Sequence, residues 1–281
     1  MRPKKSLGQN FLTNTNIAKK IVDSLEIEDN DIIIEIGAGK GALTDFLIKK
    51  NAKIVAVELD SRAIEILKNK FSSFPNLQII NQDIRKFSYL KLFIENKNKK
   101  IKIIGNLPYY LSSEILFSIL KNKDFISQAI IMLQKEVASR ILAKPNCKEY
   151  GILSVATALV ANVKHICNIS PGNFFPKPKV FSSVIKINIL DTAIADDEYI
   201  WIMHLVKHAF NQRRKVLKNS LQNFIINELK LDMDKFINFT IKKGFDKFEK
   251  RAENLNPLEF ECLAKLLKEY ILNPKLDLGQ V

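Results

Sequence analysis

The stretch from Asp31 to Ala42, D-I-I-I-E-I-G-A-G-K-G-A, decides the fold class of this chain. A strand-like run rich in isoleucine leads straight into three closely spaced glycines, and a helix-like segment follows them. Such runs are typical of parallel strands buried on both faces. Glycines at a strand-to-helix turn let the chain bend tightly and let backbone N–H groups approach a ligand. The stretch therefore predicts a parallel α/β sheet with a ligand-binding loop.

Strand-like and helix-like segments alternate through the first half of the chain. The predicted strands are Ile32–Ile36, Lys53–Glu58, Leu77–Asn81, Lys102–Gly105 and Gln128–Leu133, and the predicted helices are Ala42–Lys50, Arg62–Phe71, Ser113–Leu120 and Glu136–Leu142. Residues 180–190 alternate between apolar and polar and predict a late antiparallel strand at the sheet edge. This order is typical of a doubly wound α/β sheet.

From about Asp196 onward the pattern is helical only. The predicted helices are Tyr199–Phe210, Arg214–Leu229, Met233–Lys243 and Pro257–Leu272. We therefore predict an α/β domain over residues 1–191 and a small all-helical domain over residues 192–281, joined by a linker at Asp191–Asp197.

The charge of the chain favours a polyanionic partner such as nucleic acid. Its net charge is +14, and residues 1–190 hold 29 Lys+Arg against 16 Asp+Glu, whereas residues 191–281 hold 15 against 14. A general enrichment in lysine is the alternative explanation of the excess. The excess lies in the part of the chain that also carries the glycine loop, which favours a functional role.

Other features exclude several classes of protein. A membrane-spanning protein is excluded, because the longest apolar runs, such as Ala129–Leu133, are too short to cross a bilayer. A secretory signal is also excluded, because no apolar stretch follows the basic first ten residues. Three scattered cysteines indicate a reducing, cytoplasmic setting. His204 and His208 are four residues apart, but the sequence offers no third ligand, so we predict no metal site.

The glycine loop is compatible with more than one ligand. Glu58 ends the second strand, 21 positions after Gly37, where an acid can accept hydrogen bonds from both ribose hydroxyls of a nucleoside. The spacing Gly37-x-Gly39-x-x-Ala42 also satisfies the dinucleotide-binding fingerprint, and a purely structural turn is a third interpretation.

Two acids favour S-adenosyl-L-methionine over a nicotinamide dinucleotide. Glu35 precedes the loop, where a carboxylate would repel a pyrophosphate but attract a methionine ammonium group. Asp83 follows the third strand, where it can accept from an adenine amino group, although a helix N-cap is an equally good interpretation of Asp83 alone.

The fourth strand ends in N-L-P-Y, and a turn is the simplest explanation of that sequence. At the carboxyl end of a parallel strand, however, the Asn106 amide oxygen and the Leu107 carbonyl could accept from the two hydrogens of an adenine amine. They would favour a pyramidal nitrogen and stabilise its growing positive charge. Pro108 keeps Leu107 extended, and Tyr109 offers a flat face for a base. We expect Tyr110 to pack in the fold.

N-L-P-Y resembles the fourth motif of amino-methyltransferases that act on adenine, and the rest of the chain resembles one branch of them, the bacterial 16S ribosomal RNA adenine dimethyltransferases. The similar segments are S-L-G-Q-N-F-L at Ser6–Leu12, E-I-G-A-G-K-G at Glu35–Gly41, F-F-P-K-P-K-V-F-S-S at Phe174–Ser183 and A-F-N-Q-R-R-K-V-L-K-N-S-L at Ala209–Leu221. They span residues 4 to about 221.

The resemblance implies a Rossmann-like class I methyltransferase fold with a small C-terminal helical domain that binds RNA or the ribosome. It implies N6,N6-dimethylation of two adjacent adenosines near the 3′ end of 16S rRNA, with S-adenosyl-L-methionine, by a monomer acting on immature 30S subunits late in assembly. The implied cofactor-binding residues are Asn10, Leu12, Glu35, Gly37, Gly39, Glu58, Asp83 and Asn106. The implied catalytic residues are Asn106, Leu107, Tyr109 and Phe174, with Phe174 as the second base-stacking aromatic.

Three rival functions remain open. A macrolide-resistance type methyltransferase acting on 23S rRNA shares the catalytic motifs, but A-F-N-Q-R-R-K favours the small-subunit enzyme. A DNA adenine methyltransferase is less favoured, because no specificity domain interrupts the α/β part. A basic assembly factor with a vestigial site is disfavoured by the intact Glu58, Asp83 and N-L-P-Y.

Overall fold

The chain forms a seven-stranded sheet with its helices and a second unit made of helices, in a computed structural model that describes residues 2–4, 7–191 and 194–273. The strands are β1 (Phe11–Leu12), β2 (Asp31–Ile36), β3 (Ala52–Glu58), β4 (Leu77–Asn81), β5 (Ile101–Asn106), β6 (Ile126–Gln134), β7 (Ala161–Ile169), β8 (Phe174–Phe175) and β9 (Ser182–Ile189). The strand order in the large sheet is β4-β3-β2-β5-β6-β9-β7.

Helices alternate with the strands of the first unit and make up the second unit. In the first unit they are α1 (Thr15–Asp23), α2 (Thr44–Leu47), α3 (Ser61–Lys70), α4 (Tyr89–Glu95), α5 (Ser112–Lys121) and α6 (Lys135–Leu142). In the second unit they are α7 (Ile152–Ala158), α8 (Asp196–Asn211), α9 (Leu217–Gln222), α10 (Met233–Lys242) and α11 (Pro257–Leu272), with a π-helical turn at Asn223–Glu228. Across the described ranges, no helix is both long and apolar enough to cross a bilayer.

The sheet has a switch point between β2 and β5. Strands β4, β3, β2, β5 and β6 run parallel, and the order moves outward in one direction from β2 and in the other from β5. Ligands of doubly wound sheets bind at the carboxyl ends of the strands beside such a point. All six residues of β2 are buried, which explains why four of them are isoleucine. The predicted fold class is confirmed.

The late strand differs from its prediction in position. Strand β9 is antiparallel to β6, as expected, but it lies between β6 and β7 rather than at the edge. The strand at this edge of the sheet is β7, which was not predicted because its sequence, A-N-V-K-H-I-C-N-I, has no regular alternation. Its burial is irregular, and its pairing with β9 shifts register near His165.

Two predicted helices are interrupted or shortened. The helix expected over Ala42–Lys50 is regular only at Thr44–Leu47. The helix expected over Arg214–Leu229 divides into α9 and the π-helical turn.

The two compact units are Met1–Leu142 with Val160–Asp191, and Ala143–Leu159 with Thr192–Val281. The prediction of one domain over residues 1–191 therefore differs at Ala143–Leu159, which belongs with the helical unit. There the Tyr199 hydroxyl donates to the carbonyl oxygen of Ala156, 3.1 Å away, and anchors α7 to α8. Part of the predicted linker, residues 192–193, lies outside the described residues, as does Ser6 of the N-terminal motif.

Candidate active site

A cleft opens in the first unit at the carboxyl ends of β2 to β5. Its volume is about 770 Å³ when its open mouth is included, which is the size expected of a small-molecule site. Six of the eight predicted cofactor-binding residues line it, namely Asn10, Gly37, Gly39, Glu58, Asp83 and Asn106. Leu107 and Tyr109, two of the predicted catalytic residues, line it as well.

The glycine loop forms one wall of the cleft. Gly37 and Gly39 have φ angles of +69° and +56°, a left-handed conformation that favours glycine. The Gly37 N–H donates to the carbonyl oxygen of Val57 at 2.9 Å, which holds the loop against the end of β3. A Cβ atom on Gly39 would lie 3.1 Å from the Phe11 ring, so the loop is closely packed on the N-terminal segment.

Glu58 is fixed by three backbone N–H groups. Its Oε1 accepts from Leu59 and Asp60, at 2.8 and 2.9 Å, and its Oε2 accepts from Gly39 at 2.8 Å. A carboxylate has about four acceptor positions, so one position remains for a ligand. This geometry leaves room for one strong bond to a ribose hydroxyl, where the sequence predicted bonds to both.

Asp83 combines the two interpretations that its sequence position allowed. Its side chain caps the 3₁₀ turn Ile84–Lys86 by accepting from the Arg85 N–H at 3.0 Å, and it also lines the cleft. The Arg85 guanidinium pairs with the same carboxylate, with 2.5 Å between Nη2 and Oδ2. Hydrogen bonding to this guanidinium lowers the pKa of Asp83, so the group is an anion that accepts hydrogen bonds.

Asn106 ends β5 with its amide in a defined orientation. Its Nδ2 donates to the main-chain carbonyl oxygen of Asn10 at 2.8 Å. A carbonyl oxygen can only accept, so the amino side of the amide must face Asn10. The amide oxygen is then the side-chain atom available to accept from a substrate amine in the cleft.

The two residues that follow are held by neighbouring strands. The Leu107 N–H donates to the Met132 carbonyl oxygen at 3.0 Å, which ties the turn to β6. The Tyr109 hydroxyl and Ser182 Oγ are 2.7 Å apart, and this hydrogen bond orients the tyrosine ring. Burial raises the pKa of Tyr109, so its hydroxyl stays neutral near pH 7.

Tyr110 is not the packing residue that was expected. Its side chain is 57% exposed and lines the cleft. A Cβ on Gly8 would lie 3.1 Å from the Tyr110 ring, so the tyrosine lies over the N-terminal segment. The second aromatic of Y-Y was the available signal for a cleft residue, but neighbouring aromatics are equally typical of a core.

Glu35 lies behind the cleft instead of lining it. It is 1% exposed, and the Thr44 hydroxyl donates to its Oε2 at 2.6 Å. Burial is the main reason that its pKa rises to about 7, and the charge of Glu58 adds to the effect. The predicted contact between Glu35 and a bound ligand is therefore not formed by this side chain.

Leu12 and Phe174 also lie away from the cleft. They face each other in the antiparallel pair of β1 and β8, and both side chains belong to one hydrophobic core cluster. Phe174 is 5% exposed, so its face is not available to stack on a base, in contrast with the prediction. Its neighbour Phe175 is 57% exposed, because successive side chains of a strand point to opposite sides.

The arrangement fits S-adenosyl-L-methionine better than a dinucleotide. The cleft offers acceptors from two carboxylates, Glu58 and Asp83, and an amide oxygen from Asn106. Such a set suits a cationic nucleoside with hydroxyl and amino donors, whereas a pyrophosphate needs donors and positive charge.

Comparisons with known proteins show the family of this chain. The ribosomal RNA adenine dimethylase family matches residues 1–246. A ribosomal RNA small subunit methyltransferase A from Alkaliphilus oremlandii is 39% identical over 266 residues, which cover 94% of this chain and 91% of that protein. A protein of the same name from Francisella tularensis subsp. novicida is 41% identical over 267 residues, with 95% and 98% covered.

Solved structures give the same relationship. A dimethyladenosine transferase from Plasmodium falciparum is similar with a TM-score of 0.75 and 27% identity, over 95% of this chain and 98% of that one. The 23S rRNA methyltransferase ErmE has the same fold, with a TM-score of 0.67 at 20% identity over 92% of this chain and 100% of that one. With a family match over residues 1–246 and relatives 39% and 41% identical along nearly all of its length, this chain belongs to the ribosomal RNA adenine dimethylase family.

Proposed function

We propose that this protein uses S-adenosyl-L-methionine to dimethylate N6 of two adjacent adenosines near the 3′ end of 16S rRNA, in immature 30S subunits. The observation that carries the proposal is the oriented amide of Asn106, whose Nδ2 bonds to the Asn10 carbonyl oxygen while its own oxygen remains for an amine. Family membership and the small-subunit relatives from bacteria support the choice of RNA.

The chain holds the cofactor by its nucleoside end. Glu58 accepts from a ribose hydroxyl, Asp83 accepts from the adenine amino group, and the backbone of Gly37 and Gly39 allows close approach. The bound cofactor supplies a methyl group already activated on a sulfonium, so the protein needs no strong base and no metal for this step.

Asn106 and Leu107 then act on the target amine. Their carbonyl oxygens accept from the two N6 hydrogens, which favours a pyramidal nitrogen whose lone pair forms the new N–C bond. The bound cofactor would supply the methyl group and keep the S–C bonding electrons on its sulfur, and the extra proton on the target nitrogen leaves to water. Alignment of nitrogen, carbon and sulfur supplies much of the rate.

Tyr109 supplies the stacking surface for the extruded base. A contact of this kind contributes about 1–3 kcal/mol to binding of the base. Since Phe174 is buried, the proposal assigns stacking to Tyr109 and not to a pair of rings. The same cleft must accept N6-methyladenosine, because each adenosine receives two methyl groups.

The proposal also covers the oligomeric state of the enzyme, its location in the cell and its docking to RNA. The enzyme acts as a monomer in the cytoplasm, where bacterial ribosomal subunits assemble, and the helical second unit contributes contacts to RNA or the ribosome. The excess of positive charge in residues 1–190 supports docking through phosphates.

Replacement of Asn106 by Ala tests the catalytic assignment. We expect methyl transfer to immature 30S subunits to fall by at least about 100-fold in kcat, as when one preorganised group for transition-state charge is lost. Binding of S-adenosyl-L-methionine, measured by calorimetry, should remain detectable. The matched control is Asn162→Ala on the exposed side of β7, which should methylate normally. Normal methylation by Asn106→Ala would refute the role of Asn106.

The substrate is tested with immature 30S and 50S subunits, a radiolabelled methyl donor and mass mapping of modified nucleosides. We expect dimethyladenosine in 16S rRNA only. Labelling of one adenine in 23S rRNA would favour the macrolide-resistance type of activity.

A further inference from the structure

The second unit brings together three side chains of types that bind metal ions, and methyl transfer does not use them. His204 and His208 share one face of α8, and Glu228 ends the π-helical turn after α9. One ligand atom from each of the three side chains lies within 4.8 Å of the others. Glu228 is thus the third candidate ligand, which the spacing of the two histidines in the sequence did not reveal. The packing of the π-helical turn near α8 brings it there.

The separation of the two histidine nitrogens matches a tetrahedral metal site. His204 Nε2 and His208 Nε2 are 3.4 Å apart, which is long for a direct hydrogen bond. Two nitrogens at zinc–nitrogen distances of about 2.0–2.1 Å subtend about 3.3–3.4 Å across a tetrahedral angle. Glu228 Oε2 lies 3.6 Å from His208 Nε2, close to the separation required of a third ligand.

The carboxylate is oriented by a chain of amides. Asn223 Nδ2 donates to Glu228 Oε1 at 3.3 Å, and Asn227 Nδ2 donates to Asn223 Oδ1 at 2.9 Å. The second carboxylate oxygen, Oε2, is the one that approaches His208. Hydrogen bonds of this kind to a ligating carboxylate are typical of metal sites, where they fix the ligand before the ion binds.

The imidazoles are oriented by an aromatic side chain. Phe224 is fully buried and stacks on His208, with ring centroids 4.3 Å apart and an interplanar angle of 10°. It meets His204 edge to face at 5.0 Å and 83°. Phe224 belongs to the same π-helical turn as Glu228, and such turns occur frequently at functional sites.

We infer that His204, His208 and Glu228 bind one divalent transition-metal ion, with zinc as the best match, and that the ion braces α8 against the π-helical turn. Two imidazoles and one carboxylate are a donor set that suits zinc, and they leave one tetrahedral position for water. Magnesium and calcium prefer sets made of oxygen alone. The inference concerns this second unit and does not depend on the proposed methyl transfer.

Trp201 provides a direct reporter, because it is the only tryptophan in the chain and its ring centroid lies 6.4 Å from that of His204. We would titrate the EDTA-treated full chain with cobalt(II) chloride. The expected result is saturable quenching of tryptophan fluorescence at one ion per chain, with visible absorption bands of tetrahedral cobalt. Zinc chloride should reverse both signals, and it should raise the melting temperature of the metal-free chain.

His204→Ala and Glu228→Gln change exposed ligands and should remove saturable cobalt binding. Asn223→Ala should weaken binding by about 10–100-fold through loss of its support for Glu228. His165→Ala, an exposed histidine of β7, is the matched control and should bind like the original chain.

Far-UV circular dichroism without metal would establish that each variant is folded. If His204→Ala does not fold, cobalt binding by Glu228→Gln is the test of the proposed site. Cobalt binding of equal strength in the original chain and in Glu228→Gln would overturn the inference. So would the absence of saturable quenching in the original chain.

Discussion

Glu35 shows how one buried carboxyl can make stability depend on pH. Its pKa rises from 4.5 to about 7 on folding, mainly because burial disfavours its charged form. The folded protein therefore holds this proton over a pH range in which the unfolded chain has lost it. Stability is retained below about pH 4.5 and falls as the pH rises toward 7, by up to about 3 kcal/mol in total.

Glu35→Gln should remove this dependence while keeping an acceptor for the Thr44 hydroxyl. We expect the variant and the original chain to be similar near pH 5, and the variant to be more stable near pH 8 by up to about 3 kcal/mol. Urea unfolding at the two pH values measures the difference. Glu95→Gln, an exposed change on α4, is the control. Parallel pH profiles for Glu35→Gln and the original chain would contradict the account.

Phe174 is buried and its neighbour Phe175 is exposed. Substitutions at the two positions therefore distinguish a role in core packing from a role in substrate binding. Phe174→Ala should destabilise the protein by about 3–5 kcal/mol, whereas Phe175→Ala should cost less than about 1 kcal/mol. Phe174→Leu keeps most of the buried volume and should methylate RNA within a few-fold of the original rate. Loss of methylation by Phe174→Leu at unchanged melting temperature would return Phe174 to the substrate, as the sequence predicted.

Among the elements, the bounds of strands were predicted best where both faces of the strand are buried. Strands β2 and β6 are rich in isoleucine and almost entirely buried, and their predicted bounds differ from the observed ones by two residues or fewer. Strand β7 and segment Ala143–Leu159 could not be predicted, because the first is an irregular edge strand and the second is placed by distant contacts. The N-terminal helix α1 was not predicted, although Asn14 caps it and Ala18, Ile21 and Val22 form its buried face.

The close pairing of β2 and β5 depends on Gly105. A Cβ atom there would lie 2.7 Å from the carbonyl oxygen of Ile36, which is too close for the strands to keep their spacing. Gly105→Ala should therefore cost about 1–3 kcal/mol in stability. It should also reduce methyl transfer by much more than its effect on folding, because Asn106 is the next residue.

Thermal unfolding and methylation of 30S subunits measure the two effects of Gly105→Ala. Gly172→Ala is the matched control, because nothing lies within 4 Å of a Cβ added at that position. A normal melting temperature and normal activity for Gly105→Ala would show that the strands can separate at no cost.

For the molecule as a whole, motifs identified the cleft but not the direction of each side chain. Glu58, Asp83 and Asn106 line the cleft because they lie at the carboxyl ends of three parallel strands of one sheet, β3, β4 and β5, and that placement follows from sequence and topology. Whether the side chains of Glu35 and Phe174 face a ligand or the core depends on tertiary packing, which the spacing of motifs along the sequence does not specify. The proposed metal ligands of the second unit are likewise brought together by tertiary packing, since the π-helical turn places Glu228 near α8.

The uneven charge of the chain makes a prediction about RNA binding. Lys177 and Lys179 are exposed on the segment between β8 and β9, within the part of the sequence that carries the excess positive charge. If each contacts one phosphate, their joint replacement by Ala should weaken binding to immature 30S subunits. It should also reduce the slope of log K against log[salt] by about 1.4–1.8, because each lost contact removes about 0.7–0.9. Filter binding at several salt concentrations gives this slope directly.

The control for that double variant is Lys242→Ala with Lys250→Ala, two exposed lysines in the near-neutral part of the chain. If the excess of charge in residues 1–190 is what docks RNA, this control should change the slope by less than one contact. Equal loss of slope in both double variants would mean that phosphate contacts are distributed evenly along the chain. The charge excess would then reflect general enrichment in lysine, and the docking surface would have to be sought by shape and not by charge.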